Sequence, residues 1–259
     1  MTGWAMTGWA MTGDTGTGGT GTGGRGPGGR GTVLAGLTSP EAGELAAAGA
    51  LLAIPVASTE QHGPHLPLST DTDIAAGLCA GLARARADVV VAPPVAYGSS
   101  GEHQDFAGTL SIGQEALELL LVELCRSATR TFPRVLLVST HGGNATVVRR
   151  AERRLRSESR EVLAWMPNWR GDAHAGRTET SLQLALDPAR VRLGRAEAGN
   201  LRPIAELMPA LRASSVSAVS ANGVLGDPAG ASAAEGAELL GELLADLLGT
   251  VRSWHRQSP

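Results

Sequence analysis

The sequence predicts an α/β protein, a three-layer α/β/α sandwich on a mostly parallel sheet. Short continuous apolar runs read as strands buried on both faces, and helical stretches of amphipathic spacing alternate with them. Clusters of His, Glu and Asp follow the runs, as expected where a parallel sheet gathers its functional loops at the carboxyl ends of its strands.

In chain order, Ser39 reads as a helix N-cap with Pro40 at the first position and acids in the first turn. Residues 50–57 (ALLAIPVA) form the first predicted strand, and apolar spacing predicts a helix over 73–87. Residues 88–94 (DVVVAPP) form a second strand ended by prolines, followed by a long amphipathic helix over 113–131. Residues 134–139 (RVLLVS) are the third strand, and an Arg-rich helix follows Asn144. Residues 161–167 (EVLAWMP) are the fourth strand. Helices over 180–186 and 231–254 complete the pattern.

Residues 1–31 stand apart. They repeat MTGWA and continue as a Gly-rich run that supplies few side chains to bury, so a disordered tail is expected, with one domain over 32–259. Aromatic residues make up only 3% of the 259 residues, so the core must be built from Ala, Val, Leu and Ile. All basic residues are Arg, scattered, and the formal charge is -3, which argues against a nucleic-acid partner. No apolar run approaches the roughly 18 residues of a membrane span, and the N-terminus lacks a secretory pattern. Cys79 and Cys125 lie in apolar helical stretches and read as buried thiols, so a cytoplasmic location with no membrane partner is expected.

Five of the six histidines fall in the post-strand loops; only His255 does not. Glu60 and His62, two apart in an extended segment, point the same way and can ligate neighbouring ions. Asp71 follows across a Pro-containing loop, and its two oxygens can bridge two cations. His141 precedes Gly142 and Gly143, which allow close backbone approach. Glu179 lies five residues after His174. Mixed imidazole and carboxylate donors suit Zn, Mn or Fe(II), and paired ions of this kind activate water and polarise a scissile carbonyl. Blander roles stay open at this point. Any single His can be a core or capping residue, Ser58 and Thr59 can cap a helix, and Asp73 rather than Asp71 can cap the helix that follows. His65, Glu102 and His103 can line a substrate pocket or brace their loops.

The string IPVASTEQHGPHLPLSTDTD resembles the signature of the creatininase family of amidohydrolases, and VSTHGGN and DAHAGRTETS resemble its second and third motifs, in order, over roughly residues 33–255. That resemblance implies a creatininase-like fold and two divalent ions. Glu60, Asp71 and His141 would hold one ion, His62, Asp71 and Glu179 the other, with His174 handling substrate or proton and Glu179 acting beside it. It also implies a homo-oligomer, a hexameric ring of dimers. Enzymes that hydrolyse creatinine carry Glu where this chain has Gly143, and a Trp whose register Trp169 does not match, which moves the expected substrate away from creatinine. GEHQDFAGTLSIG, APPVAYGSSGEH, AELMP and NGVLGDPAGASAAEG resemble a branch of the family that matures the modified precursor peptide of a redox cofactor. This implies a peptidase that removes a C-terminal Val-Tyr dipeptide. The alternatives are an amidohydrolase for a small cyclic amide or a formamide, and a non-catalytic metal-binding protein.

Overall fold

The computed structural model describes residues 31–169 and 171–257, so the tail expected over 1–31 lies, Gly31 apart, outside the described residues. Its sheet contains β1 (Thr32–Val33), β2 (Leu51–Val56), β3 (Val89–Val91), β4 (Arg134–Ser139) and β5 (Val162–Trp165). The order is β1-β3-β2-β4-β5 and every pairing is parallel, so the expected α/β/α architecture is what the chain adopts. The four predicted strands are all present. β1 is too short for any sequence pattern to mark it.

Alternation along the strands builds two cores. On one face Leu52, Ile54, Val135 and Leu137 pack with Leu117, Leu121 and Cys125 of α3 (Gly113–Ala128) and with Val148 and Leu155 of α4 (Ala145–Ser157). Ala46 of α1 (Ser39–Ala47) closes that layer. On the other face Leu51, Ala53, Leu136 and Val138 meet Ile74, Leu78, Cys79 and Leu82 of α2 (Thr70–Ala85). Leu182 of α5 (Arg177–Leu186) and Leu247 and Val251 of α7 (Ala233–Gln257) join them. Side chains two apart on a strand share a face, so one residue of slip would exchange the two cores. Both cysteines are buried and free, as expected.

Several boundaries differ from the sequence expectation. α2 begins at Thr70 rather than Asp73, and this puts Asp71 in a helical first turn instead of a loop. The first turn is polar because it faces the site, so apolar spacing becomes visible only from Ile74. α5 likewise begins at Arg177, three residues early. α1 is capped from Thr38 rather than Ser39: the Glu41 carboxylate accepts from the Thr38 N–H (2.7 Å) and hydroxyl (2.8 Å). α6 (Ile204–Ala213) was hidden by Pro209 inside it.

Two contacts fix α7 beneath the sheet. Gly236 lets it lie against the Ser181 carbonyl of α5, where any Cβ would collide. The Trp165 indole N–H donates to Asp246 at 2.7 Å. From β2 the chain moves to β3 on one side and then returns across β2 to β4 on the other. Strand order therefore reverses between β2 and β4, and the loops leaving their carboxyl ends diverge into a crevice. Glu60 and His62 leave β2 on this edge and His141 leaves β4.

Leu136 is fully buried in the interior strand β4, whereas Leu119 on α3 is 58% exposed. Leu136→Ala is expected to cost about 2–5 kcal/mol in urea unfolding, and Leu119→Ala no more than about 0.5 kcal/mol. Equal losses would contradict the two-core packing.

Candidate metal centre

Seven predicted residues come together at the crevice. Glu60 and His62 sit on the loop after β2, Asp71 on the first turn of α2, His103 after β3, His141 after β4, and His174 and Glu179 around the start of α5. Three overlapping sets have ligand atoms that all lie within 4.8 Å of one another: Glu60, Asp71 and His141; His62, Asp71 and Glu179; and Glu60, His62 and His174. Asp71 is shared by the first two sets, so one carboxylate faces both positions.

The closest approaches are those of ligands around a common centre rather than of hydrogen bonds. His141 Nδ1 lies 3.3 Å from Glu60 Oε1 and 3.3 Å from Asp71 Oδ2, and His62 Nε2 lies 3.8 Å from both Asp71 Oδ1 and Glu179 Oε2. Donors about 2.0–2.1 Å from a tetrahedral ion stand about 3.4 Å apart from each other. Both Glu60 oxygens and His62 Nε2 are buried without a hydrogen-bond partner. Orphaned charged atoms cost several kcal/mol each (order of magnitude) unless a cation accepts them, so the donor set fits divalent metal ions.

Outer contacts aim each ligand. The Nδ1–H of His62 donates to the Glu60 carbonyl (3.2 Å), which turns Nε2 to the carboxylates. The Nε2–H of His141 donates to the Ser99 carbonyl (3.0 Å), which turns Nδ1 inward. Ser58 donates its hydroxyl to Asp71 Oδ2 (2.6 Å), so it braces a ligand instead of capping a helix. Thr59 bonds the Ala96 carbonyl and likewise caps nothing. Ala175 has φ +53, a left-handed backbone, and its N–H donates to Glu179 Oε2. Partners of this kind are what hold ligating side chains in register. Neither Ser99 nor Ala175 had a sequence signal, because each acts through its backbone.

Charge in the cluster is set by proximity against burial. Burial opposes ionisation, yet His141 holds the Glu60 carboxyl below its usual range, and His141 and His62 hold Asp71 well below it. Against the same burial, Asp71, Glu179 and Glu60 carry His62 up to about 10, and Glu60 and Asp71 raise His141 well above an ordinary imidazole. The direction of both shifts reports how strongly the three carboxylates draw positive charge to this point. Burial, then the Asp71 and Glu60 charges, pushes Glu179 up to about 7. Burial beside His62 and His103 depresses His174 well below its usual value, and burial beside His141 and His62 brings His103 down to about 3.

Other candidates fall outside the cluster. His65 is fully buried, bonds the Thr180 hydroxyl through Nε2 (2.8 Å) and braces α5. Asp73 neither caps α2 nor reaches the cluster; it accepts from Arg190 (2.7 Å), Gln183 (3.0 Å) and Ser69 (3.0 Å). Glu102 lies at the rim, with Oε1 3.8 Å from His141 Nε2 and a side chain 34% exposed. Of the two glycines after His141 only Gly143 is sterically required. A Cβ there would strike the Ser99 carbonyl and approach Glu102 Oε1 to 2.5 Å, whereas one at Gly142 would meet nothing within 4 Å.

Residues 35–251 match the family model described as Creatininase, creatinine amidohydrolase. The chain is 45% identical over 232 residues to a mycofactocin precursor peptide peptidase of Mycobacterium ulcerans (strain Agy99), covering 86% of this chain and 92% of that one. Against a mycofactocin precursor peptide peptidase of Mycolicibacterium smegmatis (strain ATCC 700084 / mc(2)155), identity is 46% over 227 residues, covering 85% and 92%. Among solved structures, a creatinine amidohydrolase (creatininase) superposes with a TM-score of 0.73 at 25% identity, over 85% of this chain and 96% of that one. A structure described as "Creatininase Mn" gives the same TM-score and identity over 86% and 98%. Motifs, fold and relatives coincide over one span, and the chain belongs to the creatininase family.

Proposed function

We propose that this chain is a metal-dependent peptidase of mycofactocin maturation that cleaves the modified precursor peptide and releases its C-terminal Val-Tyr dipeptide. The observation that carries the metal-dependent chemistry is the shared carboxylate of Asp71 between two ligand sets, beside orphaned Glu60 and His62 atoms. The peptide substrate is supported by relatives about 45% identical over most of the chain. Residues 32–259 act in this reading as one catalytic unit.

Glu60, Asp71 and His141 would hold one ion and His62, Asp71 and Glu179 the other, as Zn, Mn or Fe(II), a choice this donor set permits. Such ions supply Lewis-acid polarisation of the scissile carbonyl and a water of lowered pKa. The chain's own part is to exclude bulk water and move protons. His174, buried with Nδ1 turned to the cluster, would take the proton given up by the attacking water and pass it to the leaving amine. Glu179 is both a ligand and a second proton-handling group. Glu102 at the rim and His103 behind it line the approach of the peptide.

Among the described residues no helix is long and apolar enough to cross a membrane, and a cytoplasmic location accords with two free, buried thiols. Leu119, Leu120 and Leu124 are exposed along one side of α3, with Tyr97 51% exposed nearby in sequence to the β3 end. That apolar surface supports a homo-oligomer, a hexameric ring of dimers, assembled through α3.

Asp71→Ala is expected to remove bound metal, by elemental analysis, together with dipeptide release from the precursor peptide. Full activity without metal would overturn the reading. Chelation of the wild-type enzyme should abolish dipeptide release and re-addition of Zn, Mn or Fe(II) should restore it. Turnover of small cyclic amides or formamides but not of the peptide would favour the other substrate class. Leu120→Glu with Leu124→Glu is expected to yield smaller species by sedimentation velocity, and an unchanged assembly would exclude α3 as its interface.

A further inference from the structure

We propose that Gln61 is a positioning residue that sets the tautomers of His103 and His174, and so decides which ring atom of each faces the carboxylate cluster. Gln61 is buried and sits between the two ligands Glu60 and His62. Its carboxamide orientation follows from two backbone groups whose roles are fixed. The Gly63 N–H must donate to Oε1 (2.8 Å), and the Gly223 carbonyl must accept from Nε2 (3.1 Å). Nε2 therefore points at the histidines and has one further proton to give.

Two ring nitrogens lie within its reach, His103 Nδ1 at 2.8 Å and His174 Nε2 at 3.1 Å. His174 Nε2 also lies 2.8 Å from the backbone carbonyl of Gln61, which can only accept. Hence His174 carries its proton on Nε2 and donates it to that carbonyl. Its Nδ1, 3.9 Å from Glu60 Oε1, is the lone-pair atom turned to the cluster. The remaining Gln61 proton goes to His103 Nδ1. His103 then carries its own proton on Nε2, the ring atom turned to Glu60 Oε1 at 3.5 Å, too long for a hydrogen bond. One residue, through its main-chain carbonyl and its side-chain amide, turns an acceptor nitrogen of His174 and a donor nitrogen of His103 toward the same oxygen.

The loop that covers Gln61 is shaped for it. Gly223 has φ +79, and a Cβ there would fall on Gln61 Oε1 and lie 2.5 Å from Cδ. Only glycine lets the loop close on the carboxamide.

As an assignment of the proton-accepting atom, His174 Nδ1, the inference rests on the proposed hydrolase reading; the tautomers themselves can be read without turnover. The test is a long-range 1H–15N correlation spectrum of the histidine rings in the zinc-loaded full chain, without substrate. Both His103 and His174 are expected as Nε2–H tautomers. In Gln61→Glu the acceptor side chain should move His103 out of that form, to Nδ1–H or to the charged ring, while His174 stays Nε2–H. With zinc content unchanged, kcat on the precursor peptide should fall about 10- to 100-fold, the range for outer groups that orient a metal site. An Nδ1–H tautomer of either ring in the wild type, or an unaltered His103 in folded Gln61→Glu, would overturn the proposal. Should Gln61→Glu not fold, Gly223→Ala, which displaces the carboxamide without changing it, is read the same way. A wild-type chain with the expected tautomers and no turnover of the peptide or of small amides would refute the hydrolase reading and leave the tautomer assignment standing.

Discussion

The site depends on three carboxylates being gathered in a largely covered crevice, Glu60 and Glu179 each with an oxygen within 4.8 Å of Asp71. Burial and mutual repulsion both oppose this, so the fold must force them together from elements that are rigid on their own account. β2 holds the Glu60 loop between two paired neighbours, α2 carries Asp71, and α5 carries Glu179 while packed on α7. Asp71 gains from its place in a helical first turn, where unsatisfied N–H groups favour negative charge.

From that constraint the roles of many smaller residues follow. A buried carboxylate tolerates only a fixed environment, and so each ligand is aimed by a partner one layer further out: Ser58 for Asp71, the Ser99 carbonyl for His141, the Ala175 amide for Glu179. Gly143 belongs to the same scheme. Its missing side chain keeps the Ser99 carbonyl on His141 and leaves room for Glu102. Gly143 is thus tied to the carboxylate at the rim, in the adjacent loop.

Much of this was readable from the chain. Apolar runs two-sidedly buried mark four of the five strands, and the loops after them hold Glu60, His62 and His141, whereas Asp71 and Glu179 lie in the first turns of α2 and α5. Thr70-Asp-Thr-Asp looked like a loop because the first turn of α2 faces a polar site, though Ser69 followed by acids is also how a helix starts. His65 lies near the ligands in sequence, yet in space it turns away to Thr180. Gln61 gave no signal at all. A carboxamide acquires its meaning from partners at positions 103, 174 and 223, and no local pattern encodes those distances.

The placement of Asp71 on α2 and Glu179 on α5 has a thermodynamic side. An ion held by His62, Asp71 and Glu179 would be a reversible cross-link joining the β2 loop to two helices, with its outer ligands more than a hundred residues apart along the chain. Such a link closes a long loop in a chain that has no disulfide among its described residues. Free metal at 100 times its dissociation constant would add about 2.7 kcal/mol to folding stability. Resistance to unfolding in this protein would then be a function of metal supply as much as of its leucine cores.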